Sequence, residues 1–254
     1  MLILLSPAKT IDTSPHGITT RHTHPEGRKH AEELVSFMRT FDSPQLQQVM
    51  KVSRKLADLN LERFVRWKKD PETGEAMQAL LAFSGEVFNG LDARTMNEED
   101  LLFAQDHLRI LSGLYGVLRP LDLIMPYRLE MGTRSEFPGA ANLYEYWKGI
   151  IPSSIEEATG RQPEKVLVNL ASNEYFKAIQ PRSFPYRIIT PVFQEQEGNR
   201  YRNVTIYAKK ARGLMTRFII ENRILQPGHI KAFDQEGYHF NPGLSGGDRW
   251  FFTR

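Results

Sequence analysis

The chain has 254 residues, of which 41% are hydrophobic and 25% are charged, a balance typical of a globular protein with a sizeable core. It contains no cysteine, which excludes an internal disulfide, a thiolate metal site, an iron–sulfur cluster and a peroxide-reducing thiol. The apolar opening at residues 1–5 has no basic lead-in and is too short for a signal peptide, and no later stretch has the length of a membrane span. We therefore expect a cytoplasmic protein without a membrane partner.

The N-terminal half is predicted to contain one strand followed by helices. The apolar run at residues 2–5 predicts a buried strand, and apolar residues at three-to-four spacing predict a helix over 26–40. Residues 44–67 predict two short helices joined by a tight connection. The acidic residues at 97–100 are typical of a helix N-terminus, and this helix is predicted to continue to residue 111.

The second half is predicted to contain strands followed by helices. Residues 166–170, 187–190 and 203–207 each predict a strand, and residues 209–225 predict a helix. No internal repeat or linker divides the chain, and there is no regular strand–helix–strand rhythm. We therefore predict an α+β fold, with a mixed sheet and flanking helices in one compact domain of residues 1–254.

The formal net charge of +3 is distributed unevenly along the chain. Residues 51–69 contain seven basic and two acidic residues, residues 200–223 contain seven basic residues and one acidic residue, and the remainder is net acidic. Two like-charged segments that are far apart in sequence repel unless the fold separates them or an anionic partner binds both. A phosphate backbone is the commonest partner of this kind.

The predicted helix over 209–225 has a basic face opposite an apolar face. Gly213 lies within the basic arc, where the missing side chain would let a bulky polyanion approach the backbone. Lys210 and Arg217 lie about two turns apart, in line with neighbouring phosphates. A merely solvated outer face is the alternative. The basic face consists of Lys209, Lys210, Arg212, Arg217 and Arg223.

The segment 44–67 resembles a helix-hairpin-helix, a motif whose backbone N–H groups bind DNA phosphates. Asn60 would cap the second helix, with Arg63 and Arg66 in its first turns. Lys55 would lie on the approach. The connection lacks the glycines that such a hairpin usually carries, so plain helical packing is an open alternative.

Three further motifs place polar groups near predicted turns. The pairs Ser112-Gly113 and Tyr115-Gly116 resemble a phosphate-binding loop but match no established fingerprint, and tight backbone packing explains them better. Residues 127–130 place an arginine and a glutamate either beside a ligand or in a structural ion pair. Residues 169–176 bring polar groups to the end of a buried strand, without the elbow that a hydrolase serine needs.

A histidine group near the N-terminus raises the question of a metal site. His22 and His24 would lie on one side of an extended strand. No fixed carboxylate and no helical pair of histidines accompanies them, so an exposed polar loop is the better interpretation and we predict no metal. The group consists of His16, His22, His24 and His30.

Long motifs resemble the YaaA family of peroxide stress proteins over nearly the whole chain. They occupy residues 2–10 (LILLSPAKT), 111–122 (LSGLYGVLRPLD), 126–132 (PYRLEMG), 169–176 (NLASNEYF) and 207–223 (YAKKARGLMTRFIIENR). The resemblance implies a role in the hydrogen peroxide response, in which damage from intracellular iron is limited, and DNA binding linked to recombination and repair. It also implies an unusual single-domain architecture with a positively charged cleft and a helix-hairpin-helix at about residues 35–66. It assigns no catalytic residue.

The leading hypothesis is a DNA-binding protein that recognises the backbone and shape of duplex or branched DNA, with no cofactor and no catalytic residue. The alternative is an enzyme acting on DNA or a nucleobase, with Lys209 or Lys210 as an amine nucleophile and Glu174 or Glu130 as proton carrier. Iron sequestration by histidines and carboxylates ranks third. The predicted DNA-binding residues are Lys55, Asn60, Arg63, Arg66, Lys209, Lys210, Arg212 and Arg217.

Overall fold

A computed structural model describes residues 1–254 except 13, 15–17, 72 and 73. No helix among these described residues is both long and apolar enough to cross a lipid bilayer. The helices are α1 (Arg28–Met38), α2 (Ser43–Met50), α3 (Arg54–Arg66), α4 (Ala79–Ala82), α5 (Glu86–Leu91), α6 (Glu98–His107), α7 (Leu143–Tyr146), α8 (Ile150–Gly160), α9 (Asn173–Phe176) and α10 (Thr205–Glu221). The strands are β1 (Leu2–Leu5), β2 (Thr10–Ile11), β3 (Met77–Gln78), β4 (Phe83–Ser84), β5 (Leu108–Ser112), β6 (Gly116–Leu118), β7 (Leu123–Ile124), β8 (Val166–Asn169), β9 (Arg187–Glu197), β10 (Arg200–Arg202), β11 (His239–Phe240) and β12 (Arg249–Thr253).

Within the described residues, eight strands form the main sheet in the order β11-β12-β9-β8-β1-β5-β6, with β10 paired to β9. Parallel pairing joins β1 to β5 and to β8, β8 to β9, and β9 to β12. β6 and β11 pair antiparallel at the two ends of this order. The predicted mixed sheet with flanking helices is therefore confirmed, and the fold is α+β.

The first strand lies inside the sheet and is buried on both faces. Each residue of Leu2–Leu5 has no exposed surface. Successive side chains of a strand point to opposite faces, so an unbroken apolar run fits only a strand that is covered on both sides. Burying each of these side chains contributes roughly 1.5–3 kcal/mol relative to leaving it in water.

The connections leave this central strand in two directions. From β1 the chain goes on to β5 and β6 on one side, and it then crosses to β8 on the other side of β1. In an open sheet with parallel strands, such a reversal leaves a crevice at the carboxyl ends of the two strands where it occurs. The crevice therefore lies where the chain emerges from β1 and β8.

Two glycines allow α5 and α10 to pack with their backbones in contact. A Cβ atom on Gly213 would lie 1.8 Å from the carbonyl oxygen of Val87, and one on Gly90 would lie 2.2 Å from the carbonyl oxygen of Lys210. No side chain fits at either position. The predicted role of Gly213 in admitting a polyanion is therefore wrong, because its Cα faces another helix and is buried.

Three predicted element boundaries are wrong. The helix starting at residues 97–100 ends at His107, because the following residues 108–112 form β5 and are buried in the sheet. The strand predicted over 203–207 does not form, because residues 205–207 are the first residues of α10, where Ile206 is 52% exposed. Its β-branched residues favour a strand, but packing of the adjacent helical residues on the core outweighs that preference. The helix also ends four residues before the predicted end at residue 225.

The two helices predicted over residues 44–67 are confirmed as α2 and α3. They are joined through Lys51, which adopts a left-handed conformation. Ser53 caps α3, and its side chain accepts a hydrogen bond from the backbone of Leu56. Asn60 is not the predicted cap, because it lies within α3, fully buried, and donates to the Leu56 carbonyl at 2.7 Å. The helix pair with its short connection is an arrangement common to a DNA-binding helix-hairpin-helix and to plain helical packing.

Candidate functional site

A cavity of about 430 Å³ lies at the carboxyl ends of β1 and β8, where the sheet topology leaves its crevice. Segments that are far apart in sequence meet here, including parts of four of the five motifs that carry the family resemblance. We call this space the main cavity. It is lined by residues 6–10, 84–88 and 127–130, by Leu170, Ser172, Glu174 and Tyr175, and by Lys209 and Arg212 of α10.

Two serines fix the ends of the two strands beside each other. The backbone N–H of Ser172 donates to the Ser6 hydroxyl oxygen at 2.8 Å, and the Ser6 hydroxyl donates to that of Ser172 at 3.1 Å. No histidine lines the main cavity in the described part of the chain. The polar turn predicted at residues 169–176 is therefore present, and its serine bonds a second serine rather than a general base.

Glu130 sits between two cations on the cavity wall. Its carboxylate lies 2.7 Å from the Lys9 ammonium and 2.8 Å from the Arg128 guanidinium. Burial alone would raise the pKa of Glu130, but the hydrogen bonds and charges of Lys9 and Arg128 outweigh it and lower this pKa. The ion-pair interpretation of residues 127–130 is confirmed, and the paired arginine and glutamate also line the cavity; a ligand beside them stays a prediction.

Glu174 is held by backbone rather than by a cation. Its carboxylate accepts a hydrogen bond from the N–H of Gly132 at 2.8 Å, and its own carbonyl accepts from the Tyr144 hydroxyl at 3.0 Å. In the described residues, neither Lys209 nor Arg212 lies within ion-pair distance of this carboxylate. Glu174 therefore has a fixed position on the wall of the main cavity.

Glycine supports the segment that carries these charges. A Cβ atom on Gly113 would lie 2.2 Å from the Leu129 carbonyl oxygen, so the two backbone segments touch. The backbone-packing interpretation of the Ser112-Gly113 pair is therefore confirmed. Arg128 and Glu130 gain their positions from this contact.

Aromatic side chains form another part of the wall. Burial raises the pKa values of Tyr127 and Tyr175, so both phenols stay neutral at physiological pH. The Tyr127 hydroxyl is 2.6 Å from that of Ser112, and the Tyr175 hydroxyl accepts from the N–H of Met131 at 3.4 Å. With their hydroxyls occupied in this way, these rings and Phe88 supply apolar surface.

Arg212 and Lys209 contribute the positive charges that the protein leaves unpaired at the main cavity. Among the described residues, neither side chain has a carboxylate within 4.0 Å or a hydrogen-bond partner. Lys209 is exposed, whereas Arg212 is half-buried. Burial lowers the pKa of Arg212, which nonetheless stays charged because a free guanidinium titrates above about pH 12.

A second, smaller cavity of about 270 Å³ adjoins the first and shares with it Lys9, Arg128, Glu130 and Glu174. It extends to Lys51, just beyond the end of α2, and to residues 132–134. We call the two cavities together the basic groove. Six cations and three carboxylates line it within the described residues. They are Lys9, Lys51, Arg128, Arg134, Lys209 and Arg212, with Glu86, Glu130 and Glu174.

Two of the predicted DNA-binding residues are held by other parts of the protein. The Lys210 ammonium lies 2.5 Å from a carboxylate oxygen of Glu236. Arg217 donates to the carbonyl oxygens of Leu91 and Asp92 at 3.1 and 2.9 Å, and it pairs with Glu221 at 2.8 Å. Neither residue lines the basic groove.

The predicted residues of α3 differ in their surroundings. Arg63 is half-buried, and its pKa is lowered by burial and by the charge of Arg128. Lys55 and Arg66 are exposed, and neither has a carboxylate partner in the described residues. Asn60 is buried and faces its own helix, so it offers no surface to DNA.

Sequence reasoning did not select Lys9, Lys51 or Arg134. Lys9 follows the Ser-Pro that ends a buried strand, and this position at a strand's carboxyl end is the signal that points to it. Lys51 belongs to a basic segment, but its left-handed backbone and its position at the groove depend on the tertiary structure.

Three histidines of the N-terminal group lie within the described residues, and they are not clustered around a common point. The rings of His22 and His24 lie 5.9 Å apart around an extended bridge, and His30 packs against Trp147. His16 lies outside the described residues. In the part of the chain that is described, no group of three or more histidines and carboxylates is placed to hold a metal ion.

Comparison with protein families agrees with the resemblance carried by the motifs. The family model described as peroxide stress protein YaaA matches residues 1–244. This match includes every residue that lines the basic groove. The chain therefore belongs to the YaaA family of peroxide stress proteins.

Proposed function

We propose that the chain protects against hydrogen peroxide by binding DNA, and that the basic groove contacts the sugar–phosphate backbone. One observation carries this proposal: both basic segments of the sequence contribute to the same groove. Lys51 comes from the first segment, and Lys209 and Arg212 come from the second. A shared anionic partner is what two such segments need when the fold brings them together.

The balance of charge in the groove supports a polyanion as this partner. Six cations face three carboxylates, and Glu130 is already shared by Lys9 and Arg128. Phosphate contacts by lysine and arginine supply most of the affinity of sequence-independent DNA binding. We therefore expect binding to duplexes of unrelated sequence with similar affinity, and to branched DNA.

The dimensions of the groove limit what enters it. Cavities of about 430 and 270 Å³ have the size of small-molecule sites rather than of a duplex. A duplex would lie across the rim, where Lys51 and Lys209 are exposed. The helix pair α2–α3 would then lie beside the DNA, with Lys55 and Arg66 on its exposed surface.

The salt dependence of DNA binding tests this proposal. The double variant Lys51→Ala/Lys209→Ala should flatten the slope of log affinity against log salt by about 2 units, roughly 0.9 for each phosphate that the protein no longer neutralises. The control is Lys165→Ala/Lys210→Ala, which removes two charges outside the groove lining. Lys165 precedes β8 and so lies at the opposite end of that strand from the main cavity. An unchanged slope in the folded groove variant would contradict the proposal.

A second candidate function is an amine-dependent reaction on DNA, favoured by one observation. Lys209 lines the same cavity as Glu130 and Glu174, whereas Lys210 is paired with Glu236 outside it. The Lys209 amine would add to the aldehyde of an abasic site, and loss of water would give an imine. Borohydride should then trap a covalent adduct that Lys209→Arg abolishes and Lys210→Arg retains. If no adduct forms with wild-type protein, this candidate is rejected.

A further inference from the structure

The charges around the main cavity are unequally satisfied. Lys9, Arg128 and Glu130 form one connected ion-pair group, and Glu174 is held by a backbone N–H. Arg212 is left half-buried without a carboxylate or hydrogen-bond partner among the described residues. Such a guanidinium has lost much of its hydration without gaining a hydrogen-bond acceptor in place of the water.

The main cavity has room for an anion that would pair with Arg212. Arg212 lines a space of about 430 Å³, so an anion can reach its side chain without any movement of the backbone. The planar guanidinium donates two parallel hydrogen bonds to a phosphate or a carboxylate. Lys209 precedes it by three residues on α10 and therefore lies on the same side of the helix, where its ammonium adds a second positive charge.

The remaining wall indicates what the anion is attached to. The rings of Phe88, Tyr127 and Tyr175 present apolar surface to the cavity. Polar groups of Ser172 and Glu174 lie among them and accept or donate hydrogen bonds. A ligand with a flat ring and polar atoms at the edge of that ring fits such a mixed wall. The aromatic side chains stack on the face of the ligand ring, and the Glu174 carboxylate and Ser172 hydroxyl form hydrogen bonds with its edge.

We propose that the main cavity binds a single nucleotide, with its phosphate on Arg212 and Lys209 and its base against the aromatic wall. Two sources share this chemistry: a free mononucleotide, and a nucleotide turned out of a DNA strand. Binding of a nucleotide turned out of DNA rests on the proposed function, because it requires that the protein bind DNA. Binding of a free mononucleotide does not. The rim of the basic groove would hold the flanking phosphates while one nucleotide occupies the cavity.

Titration with free nucleotides tests the site without DNA. The four 5′-mononucleotides, the matching nucleosides and ribose 5-phosphate are titrated into wild type, Arg212→Met and Lys210→Met. At least one mononucleotide should bind wild type, and Arg212→Met should weaken this binding by about 10-fold or more, because it removes the charged donors that hold the phosphate. Lys210→Met should bind as wild type does. Nucleosides and ribose 5-phosphate should each bind at least about 10-fold more weakly than the mononucleotide.

Three results of this titration would overturn the inference for free nucleotides. They are equal binding of nucleoside and nucleotide, equal binding of ribose 5-phosphate and nucleotide, and unchanged affinity in Arg212→Met. Thermal unfolding of each variant shows that it is folded. If Arg212→Met does not fold, Arg212→Lys keeps the charge and removes the planar fork, and the same loss of about 10-fold is expected.

A duplex with 2-aminopurine opposite a mismatch separates the second source from the first. Wild type should change the 2-aminopurine fluorescence on binding, whereas Arg212→Met, at a concentration that saturates the duplex, should leave the fluorescence unchanged. Mononucleotide binding without any DNA binding would reject the proposed function and keep the nucleotide site. DNA binding with neither mononucleotide binding nor a fluorescence change would keep the proposed function and reject the nucleotide site.

Discussion

The two ends of α10 carry the same kind of side chain but use it differently. Near its start, Lys209 and Arg212 line the main cavity without a carboxylate partner in the described residues. Near its end, Arg217 is bound to carbonyl oxygens and to Glu221. In sequence these residues form one basic face. The count of cations on a helix therefore does not identify a binding surface, because the partner of each cation decides its role.

Arg223, two residues beyond the end of α10, is also held by other parts of the protein. Arg223 has a left-handed backbone just beyond α10, and its guanidinium lies 2.6 Å from Asp100 in α6. It also lies over the ring of Phe103 at 5.1 Å. An arginine with these contacts ties the end of one helix to another helix. The C-terminal part of the basic face therefore has a structural role.

The largest effect is expected at the glycine between the two ends. Gly213→Ala would place a methyl group 1.8 Å from the Val87 carbonyl oxygen, so α5 and α10 would have to move apart. We expect the free energy of unfolding to fall by about 3 kcal/mol, measured by urea denaturation. Gly228→Ala is the control, because no atom lies within 4 Å of the Cβ position there. Equal stability of the two variants would contradict the helix contact.

Arg217→Ala should have the next largest effect. It would leave the carbonyl oxygens of Leu91 and Asp92 and the hydroxyl of Thr95 without the donor that now reaches all three. We expect a loss of about 2 kcal/mol in the free energy of unfolding. Lys210→Ala, which removes an exposed ion pair with Glu236, should change stability by at most about 0.5 kcal/mol. Similar losses in the two variants would remove the distinction between anchoring and surface cations.

Arg212→Met should move stability in the opposite direction. The substitution removes an unpaired, half-buried charge and keeps a flexible side chain of similar length. We expect the free energy of unfolding to stay the same or to rise by about 1 kcal/mol, measured without ligand. A clear loss of stability would show that Arg212 has a structural role like that of Arg217.

The smallest effect concerns pH. Lys9 and Arg128 lower the pKa of Glu130 below its ordinary value of 4.5, so these ion pairs stabilise the fold above that pH. The stabilisation is lost as the pH falls through the pKa of the folded state. Glu130→Gln should therefore lose less stability than wild type between about pH 7 and pH 3, by about 1 kcal/mol or less. Parallel melting temperatures of both proteins across this range would contradict the prediction.

Much of the fold can be predicted from patterns of residues that are close together in the sequence. The apolar run of β1, the capped helices α2 and α3, and the buried strand β8 each follow from short-range patterning and burial. The start of α10 resembles a strand in sequence because it is rich in β-branched residues, although the structure places these in a helix. Packing against α5 is a tertiary contact that no periodicity contains.

The site is harder to predict than the fold. Lys209 and Arg212 stand out in the sequence by their charge, and the groove brings them together with Lys9 and Arg128. Lys210 and Arg217 have the same charge and nearly the same position in sequence, but their carboxylate partners lie 26 and 4 residues away. Which cation finds a partner depends on the arrangement of the whole chain, so charge patterning alone could not separate the two pairs.

The contact between α5 and α10 also determines how the site can change. One wall of the main cavity comes from residues 84–88 and another from Lys209 and Arg212, and the two helices that carry them touch through backbone atoms at Gly90 and Gly213. No side chain acts as a spacer at these two points. The width of the cavity between these walls is therefore insensitive to the size of core side chains, and redesign of its specificity should target the lining residues.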